Sequence, residues 1–413
     1  MSMGWTKVPL SQLTEADRSI TYGVVKPGDE VEGGVAFIRG GDVSQGRIAV
    51  DALRTITPQL SQTYKRTLLR GGELLVSLVG NPGEVAIAPP SLEGANIARQ
   101  VGLVALRPEV EARFVMYFLM SPLGRAELFT RIGGAVQQVI NLADLKTIHV
   151  PMPSAFEQKR IAETLSAYDD LIENNRRRMA LLEESARLLY REWFVRLRFP
   201  GYEHTPILAG VPQGWHSVPL AEICTKIGSG FTPRGGEASY LPEGVTLIRS
   251  MNVYDDNFDD GGLAFLSDEQ AATLAGVAVE SKDILINITG ASVARCCMAP
   301  ERHLPARVNQ HVMIIRVDTE KADPFFVHKA INSDEQKRQL LSYARKGSTR
   351  EALTKDEMAR FEITVPTATL MRQFGEIAAS SFRQREVLAQ QNQKLRTARD
   401  LLLPRLMSGE LAV

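Results

Sequence analysis

The chain has 413 residues, a hydrophobic content of 44% and equal numbers of acidic and basic side chains, 48 of each. This length predicts two or more domains, and zero net charge excludes a large protein that coats nucleic acid without specificity, which would be basic. Three cysteines without a histidine cluster exclude a disulfide framework and a Cys/His zinc site. With no signal peptide and no membrane-spanning apolar run in the sequence, we expect a cytoplasmic protein that contacts no membrane.

Residues 1–153 predict a first globular domain of short strands and turns, with helix late in the segment. Runs rich in β-formers occupy 72–80 and 101–108, and 113–132 has helical spacing with a break before Pro122. A last short strand ends at Pro153.

Residues 154–199 predict a long helix, because 156–199 contain neither Gly nor Pro. Its apolar positions alternate steps of four and three, the 3.5-residue period of a coiled-coil seam. At about 1.5 Å per residue such a helix is a rod of roughly 60 Å, which needs a partner of similar length. The seam comprises Leu165, Tyr168, Ile172, Asn175, Met179, Leu182 and Leu189, with Ile161, Ala186 and Trp193.

Residues 200–366 repeat the first domain. VPL occurs at positions 8 and 218, FIRG at 37 corresponds to LIRS at 247, and GELLVSLVG at 72 corresponds to KDILINITG at 282, all 210 residues apart. Gln100 and Gln310, each just before an apolar strand, have the same separation. An ordered series at constant offset predicts an internal duplication.

Residues 367–413 predict a second long helix and a C-terminal tail. Its seam comprises Phe374, Ile377, Leu388, Leu395 and Leu402, together with Ser381, Gln384, Gln391 and Ala398. Two helices of matched period, each after a globular half, predict an intramolecular antiparallel coiled coil. Its register would be set by Asn175 and the two seam glutamines. Alternatively, each apolar stripe packs on its own globular domain. The fold class is therefore α+β, with two pseudo-symmetric globular α/β domains separated by two long antiparallel coiled-coil helices.

Motifs for catalysis are missing from the sequence, which contains no P-loop, no HExxH and no Asn/Asp-Pro-Pro-aromatic methyltransferase motif. The glycine-rich segment GSGFTPRGG at 228–236 lacks the dinucleotide-binding spacing. Four aspartates in YDDNFDDGG at 254–262 fit a solvated turn better than a metal site. We therefore expect no catalytic residue and no bound metal or cofactor.

Two similar heads on a long rod suit a periodic target such as B-DNA, whose major groove returns to one face every 34–36 Å or so. Arginine pairs with guanine, and asparagine or glutamine with adenine, so polar residues in turns are candidate base readers. Each could equally be a surface or capping residue, and Asn252 and Asn309 in particular fit internal turn caps. The candidates are Arg39, Asn81, Gln137, Gln138, Arg249, Asn252, Asn287, Arg295, Asn309, Lys346, Ser348, Thr349 and Arg350.

Three segments resemble the specificity subunits of type I restriction–modification systems. They are EQKRIAETLSAYDDLIENNRRR at 157–178, LYREWFVRLRFPG at 189–201 and LLPRLMSGEL at 402–411. More loosely, IRG/IRS, NITGASVA and NQH resemble the target recognition domains of that family. The first head has ITYGVVKPG at 20–28 where the second has GSGFTPRGG, so the heads resemble different recognition subtypes. The second helix departs from the family pattern by beginning with TLMRQFGEIA.

The resemblance implies a non-catalytic subunit in which each head reads one half of a bipartite, asymmetric site in double-stranded DNA. It implies that the helix pair sets the unread spacer and docks two methyltransferase subunits, and that two ATP-dependent restriction subunits join for cleavage. S-adenosylmethionine, ATP and Mg are then expected on the partners. Two other classes stay open: a self-contained DNA methyltransferase or nuclease with a degenerate site, and a coiled-coil scaffold.

Overall fold

The computed structural model describes residues 5–50, 53–133, 138–233, 235–345 and 351–411. It divides into two compact units, the first formed by residues 1–173 with 392–413 and the second by residues 174–391. Five candidate base readers lie outside the described residues, namely Gln137, Lys346, Ser348, Thr349 and Arg350.

The first unit contains thirteen described strands and four short helices. The strands are β1 Thr6–Pro9, β2 Thr21–Tyr22, β3 Val35–Ile38, β4 Val43–Ser44, β5 Arg47–Ile48, β6 Arg54–Ile56, β7 Leu74–Ser77, β8 Val85–Ile87, β9 Asn96–Ile97, β10 Val101–Val104, β11 Ile132–Gly133, β12 Val139–Ile140 and β13 His149–Met152. The short helices are α1 Pro58–Thr63, α2 Ala112–Met120, α3 Pro122–Phe129 and α4 Leu142–Lys146. The first long helix, α5 Ala155–Tyr190, follows and continues into a π-helical turn at Arg191–Val195.

The second unit contains fourteen described strands and five short helices. The strands are β14 Ile207–Leu208, β15 Val211–Pro212, β16 His216–Pro219, β17 Cys224–Ser229, β18 Val245–Ile248, β19 Val253–Tyr254, β20 Asn257–Phe258, β21 Ala264–Leu266, β22 Ala278–Val279, β23 Ile284–Asn287, β24 Cys296–Met298, β25 Ala306–Val308, β26 Val312–Val317 and β27 Glu362–Val365. The short helices are α6 Leu220–Ile223, α7 Asp268–Thr273, α8 Pro324–Ile331, α9 Asp334–Arg345 and α10 Lys355–Arg360. The second long helix is α11 Ala368–Met407.

The two heads have matching sheets, which confirms the duplication. An antiparallel sheet of order β2-β10-β7-β8 in the first head corresponds to β17-β26-β23-β24 in the second. A second sheet of order β6-β3-β9 corresponds to β21-β18-β25-β22, and in both its central pair, β3 with β9 and β18 with β25, is parallel. The first and last strands of each head also pair, β1 with β13 and β16 with β27.

The predicted helix break before Pro122 is present, and Ser121 produces it. Ser121 ends α2 and begins α3, where its hydroxyl accepts a hydrogen bond from the Gly124 amide at 3.2 Å. Pro122 occupies the first helical position, where its missing N–H costs nothing.

Each unit contains an antiparallel pair of helix halves. In the first unit, Ile161 and Leu165 of α5 share a core with Leu406 of α11, and Asn392 of α11 donates to the Ile172 carbonyl at 3.3 Å. In the second unit, Arg385 of α11 pairs with Glu183 of α5, and the Tyr190 and Phe374 rings lie 5.8 Å apart. As the position along α5 increases, the position of its partner along α11 decreases, as antiparallel packing requires. The same cores include residues of the heads, so helix–helix and helix–head packing occur together.

The seam of α5 follows its predicted positions, but that of α11 departs from them. Ile377 is 47% exposed, whereas the adjacent Ala378 is buried. Gln384 and Gln391 are also exposed, and Asn392 is buried in their place. The buried position after Phe374 lies four residues further on, at Ala378, and not three residues further on, at Ile377. A straight helix has 3.6 rather than 3.5 residues per turn, so its buried positions drift away from a strict heptad pattern. The polar seam residues are therefore Asn175 and Asn392, not the two glutamines.

No helix in the described ranges is long and apolar enough to span a membrane.

Candidate nucleic-acid interface

In the second head, the ends of four strands meet at one edge. β17 and β23 both run antiparallel to β26, so their last residues lie beside its first. β25 ends at Val308, directly before the turn into β26, and β18 runs parallel to β25. We call this place the second convergent edge and define it by Thr232, Arg249, Thr289, Gln310 and His311.

The first head has a corresponding first convergent edge, defined by Val25, Arg39, Val79, Arg99 and Gln100. A close contact marks the convergence: a side chain at Gly40, just after Arg39, would come within 2.6 Å of the Val79 carbonyl oxygen. Gln138, a predicted base reader, is exposed next to Val139, which bridges to Val79. Arg39, Asn81 and Arg99 are also exposed.

A glycine in each head makes these edges compact. A side chain at Gly23 would lie 1.8 Å from the Ile97 carbonyl oxygen, and one at Gly230 would lie 1.7 Å from that of Val308. Both glycines lie just before an edge residue, Val25 or Thr232. The chain therefore passes directly over the end of the parallel strand pair only because no side chain is there.

Three asparagines that the sequence proposes as base readers are buried in turns. Asn252 donates to the carbonyls of Asp259 and Gly261 at 3.0 and 2.9 Å, and Asn287 donates to that of Ser250 at 2.9 Å. The side-chain oxygen of Asn309 accepts from the His311 amide at 3.0 Å. All three are at most 6% exposed, so the structure does not support direct contact with a base. Their function is to hold the turns of the edge in place.

The arginine candidates are exposed or half-buried and already oriented by neighbours. The Arg39 guanidinium donates to the carboxylate of Asp42 at 3.0 and 3.1 Å, and this hydrogen bonding raises the pKa of Arg39. The corresponding Arg249 donates to Glu237 at 2.9 Å and to the Gly262 carbonyl at 2.5 Å. Arg295 is stacked 4.7 Å from the centre of the Tyr254 ring.

Sequence reasoning missed Arg99, Thr232, Thr289, Gln310 and His311 as edge residues. The sequence repeat aligns Gln100 with Gln310, but strand pairing shifts this segment by one residue, so Arg99 corresponds to Gln310 and Gln100 to His311. Phe231, which is 65% exposed beside Thr232, was also missed.

The aspartates of YDDNFDDGG do not form a metal site. Asp256 pairs with Lys329, Asp260 pairs with Arg302 at 2.6 Å, and Asp255 pairs with Lys337. No cluster of three His, Cys, Asp or Glu side chains arranged to hold a metal occurs among the described residues.

The hairpin β19–β20 fixes the second head to the helices of its unit through a buried ionic cluster. Lys329 of α8 contacts Asp256 of the hairpin at 2.9 Å and also pairs with Glu183 of α5. Arg385 of α11 pairs with the same Glu183 and donates to the Asp256 carbonyl at 2.6 Å. Burial alone would raise the pKa of Asp256, but the Lys329 charge, His328 and the hydrogen bonds from Lys329 and Asn332 together outweigh burial and lower that pKa to about 2.

The hairpin β4–β5 has the corresponding role in the first head. Arg47 pairs with Glu173 of α5 and donates to the Asp169 carbonyl at 3.1 Å. The carboxylate of Asp169 accepts from the buried Tyr117 hydroxyl at 2.6 Å and pairs with Arg399 of α11 at 2.5 Å. The first head is thus attached to α5, which in turn pairs with α11, by side chains that differ from those of the second head.

A neutral histidine inside the second cluster predicts a pH dependence of stability. His328 lies 3.4 Å from Asp256, yet burial and then the Lys329 charge lower the pKa of His328 to about 3. The histidine of the unfolded chain is protonated below about pH 6.5, whereas that of the folded chain stays neutral. The free energy of unfolding is therefore unaffected by His328 above about pH 6.5 and decreases as the pH falls from 6.5 toward 3. The expected loss is about 1.4 kcal/mol per pH unit in that window.

Urea unfolding of the second unit at pH 7, 6 and 5 measures this slope. His328→Gln should flatten it, while the matched control at the exposed His204, His204→Gln, should leave it unchanged. Equal slopes in the His328→Gln variant and the unmodified protein would contradict the assignment.

Comparison with known proteins gives matches to the specificity subunits of type I restriction enzymes. Residues 3–184 match the family model of the type I restriction modification DNA specificity domain. The specificity subunit of the Escherichia coli type I restriction enzyme EcoBI is 34% identical over 175 residues, which cover 41% of this chain and 36% of that subunit. This match therefore spans little more than a third of the relative's length.

Longer matches cover most of the chain. The specificity subunit of the MjaIX enzyme of Methanocaldococcus jannaschii is 25% identical over 374 residues, covering 87% of this chain and 82% of that subunit. The crystal structure of a type I S subunit from M. genitalium covers 98% of this chain and 96% of its own, with a TM-score of 0.61 at 18% identity, so the two share a fold. The resemblance seen in the sequence is confirmed: residues 3–184 match the DNA specificity domain of type I restriction–modification systems, and the chain is similar to their specificity subunits along most of its length.

Proposed function

We propose that this chain is the DNA-reading subunit of a type I restriction–modification complex. Each head reads one half of a bipartite, asymmetric site in double-stranded DNA, and the paired helices set the unread spacer. The observation that carries the proposal is the pair of heads with one fold and unlike convergent edges. Thr232, Thr289 and Gln310 of the second edge stand where the first has Val25, Val79 and Arg99.

The helix pair is also the proposed docking surface for two methyltransferase subunits, and two restriction subunits join for cleavage. S-adenosylmethionine, ATP and Mg belong to these partners, and the chain itself supplies no catalytic group. Its net charge of zero suits this division of roles, because partners that surround the DNA share the contacts with phosphate.

Adenine methylation mapping tests the proposal. The chain is expressed with the methyltransferase subunit of its own system, and methylated adenines are mapped over the host genome. We expect a motif of two short, unlike halves separated by a fixed number of unread bases. Replacing residues 1–153 by the first head of another specificity subunit should change one half only. A change in both halves would contradict separate reading by the two heads.

The two other classes give different results. A self-contained methyltransferase or nuclease would transfer methyl groups or cut DNA as the purified chain alone. A coiled-coil scaffold would leave the genome without a bipartite methylated motif even when the methyltransferase is present.

A further inference from the structure

Four polar side chains of the second convergent edge form one hydrogen-bonded chain centred on Gln310. Thr232, after β17, donates its hydroxyl hydrogen to the Gln310 side-chain oxygen. The Gln310 amide nitrogen lies 3.1 Å from Nε2 of His311, and Nδ1 of His311 lies 2.7 Å from the Thr289 hydroxyl. Gln310 itself is exposed on the turn between β25 and β26.

This chain fixes the orientation of the Gln310 amide and leaves half of it available. A glutamine amide has two acceptor lone pairs on oxygen and two N–H donors on nitrogen. Thr232 occupies one lone pair and His311 one N–H, so one acceptor lone pair and one N–H donor of the exposed amide remain for an external group. If the oxygen and nitrogen of the amide exchange places, one lone pair and one N–H still remain free, because Thr and His can each serve as donor or acceptor.

The first head keeps neither the glutamine nor its partners at these positions. Strand pairing aligns Val101 with Val312, so Arg99 stands at the position of Gln310 and Gln100 at that of His311. Thr232 and Thr289 are replaced by Val25 and Val79, whose side chains make no hydrogen bond, so the first head has no equivalent of this hydrogen-bonded chain. The oriented amide is therefore a property of the second head, in a region where the two heads must differ if their half-sites differ.

We propose that Gln310 reads an adenine in the half-site of the second head, an inference that rests on the proposed function. In the major groove an adenine presents an acceptor, N7, next to a donor, the N6 amino group, and the free pair on Gln310 is the complement of that pattern. Guanine presents two acceptors, and cytosine presents a donor without a neighbouring acceptor. Thr232, Thr289 and His311 act as positioning residues.

The test uses the complex with its methyltransferase and the bipartite site mapped for the unmodified chain. Gln310→Ala should relax recognition at one position of the second half-site, an A·T pair. Discrimination against other base pairs there should fall roughly 5- to 100-fold, the value of one bidentate contact. Replacing that adenine with 7-deazaadenine should weaken binding of the unmodified complex and have no effect on the Gln310→Ala complex. The control is Gln100→Ala, at a glutamine of the first convergent edge, which should leave the second half-site unchanged.

The positioning role has its own readout. Thr232→Val with Thr289→Val introduces the valines of the first head, and His311→Val removes the remaining partner of Gln310. The triple variant should reduce discrimination at the same A·T pair while the other positions are still read. Gln310→Glu, which replaces the N–H donor by an acceptor, should lose the adenine preference as Gln310→Ala does.

Relaxation at a G·C pair, relaxation nowhere in the second half-site, or indifference of the unmodified complex to 7-deazaadenine would overturn the inference. These outcomes differ from failure of the proposed function, in which the unmodified complex shows no bipartite site at all.

Discussion

Replacing Lys329 by methionine is expected to destabilise the second unit by about 3–5 kcal/mol, the usual cost of removing one partner from a buried ionic cluster. Lys329 is 7% exposed, and its ammonium group faces two carboxylates, Asp256 and Glu183. Methionine fills similar space but leaves Asp256 with only the Asn332 amide, 2.8 Å away, as a described side-chain hydrogen-bond donor. The measurement is the free energy of unfolding in urea at pH 7.

Lys337→Met is the matched control, because Lys337 also pairs with an aspartate of the same hairpin, Asp255. The Asp255 carboxylate is 50% exposed, so this pair is screened by water and its loss should cost less than about 1 kcal/mol. Adding Asp256→Asn to Lys329→Met should recover part of the lost stability, because the neutral amide needs no counter-charge. Equal destabilisation by the two lysine variants would refute the view that the cluster near Asp256 is the main ionic attachment of the head.

Gly230→Ala is expected to destabilise the same unit by about 2–3 kcal/mol, because the new methyl group cannot fit without moving backbone. It would lie 1.7 Å from the Val308 carbonyl oxygen and 2.9 Å from that of Asn309. Since Val308 ends β25 and Thr232 follows two residues after Gly230, the displacement should also separate Thr232 from Gln310. Urea unfolding gives the first effect, and methylation mapping of the second half-site gives the second.

Gly228→Ala provides a control in the same strand. A methyl group at Gly228 meets no atom within 4 Å, and its backbone conformation is open to any residue. We expect a change below about 0.5 kcal/mol there. If the two alanine variants were equally stable, the close passage of the chain over β25 would not be a requirement of the fold.

The sequence was sufficient for the architecture because its signals are periodic. The duplication, the helix break at Ser121 and the seam of α5 each rest on several residues with regular spacing. The seam of α11 was harder, since few large apolar residues lie between Phe374 and Leu388. Ile377 was therefore assigned to the seam by its step of three residues from Phe374, whereas the small Ala378 is the residue buried there.

The candidate site was predicted less well, for a physical reason. A turn rich in asparagine has the same composition whether its side chains face solvent or hold the turn together. Only the burial of Asn252, Asn287 and Asn309 separates these cases. Thr232, Thr289 and the adjacent Gln310 and His311 follow three different strands, and no local pattern indicates that they meet.

The division of both long helices between the units has a consequence for synthesis of the protein. The first unit needs residues 392–413, and Leu403, Leu406 and Met407 belong to its core. The second unit is continuous in sequence and is therefore complete on the ribosome earlier. At about 5–20 residues per second, the roughly two hundred residues of the second unit delay completion of the first by about 10–40 s. The head that is translated first is thus the last to receive its full core, and during that interval it depends on chaperones or on its own partial stability.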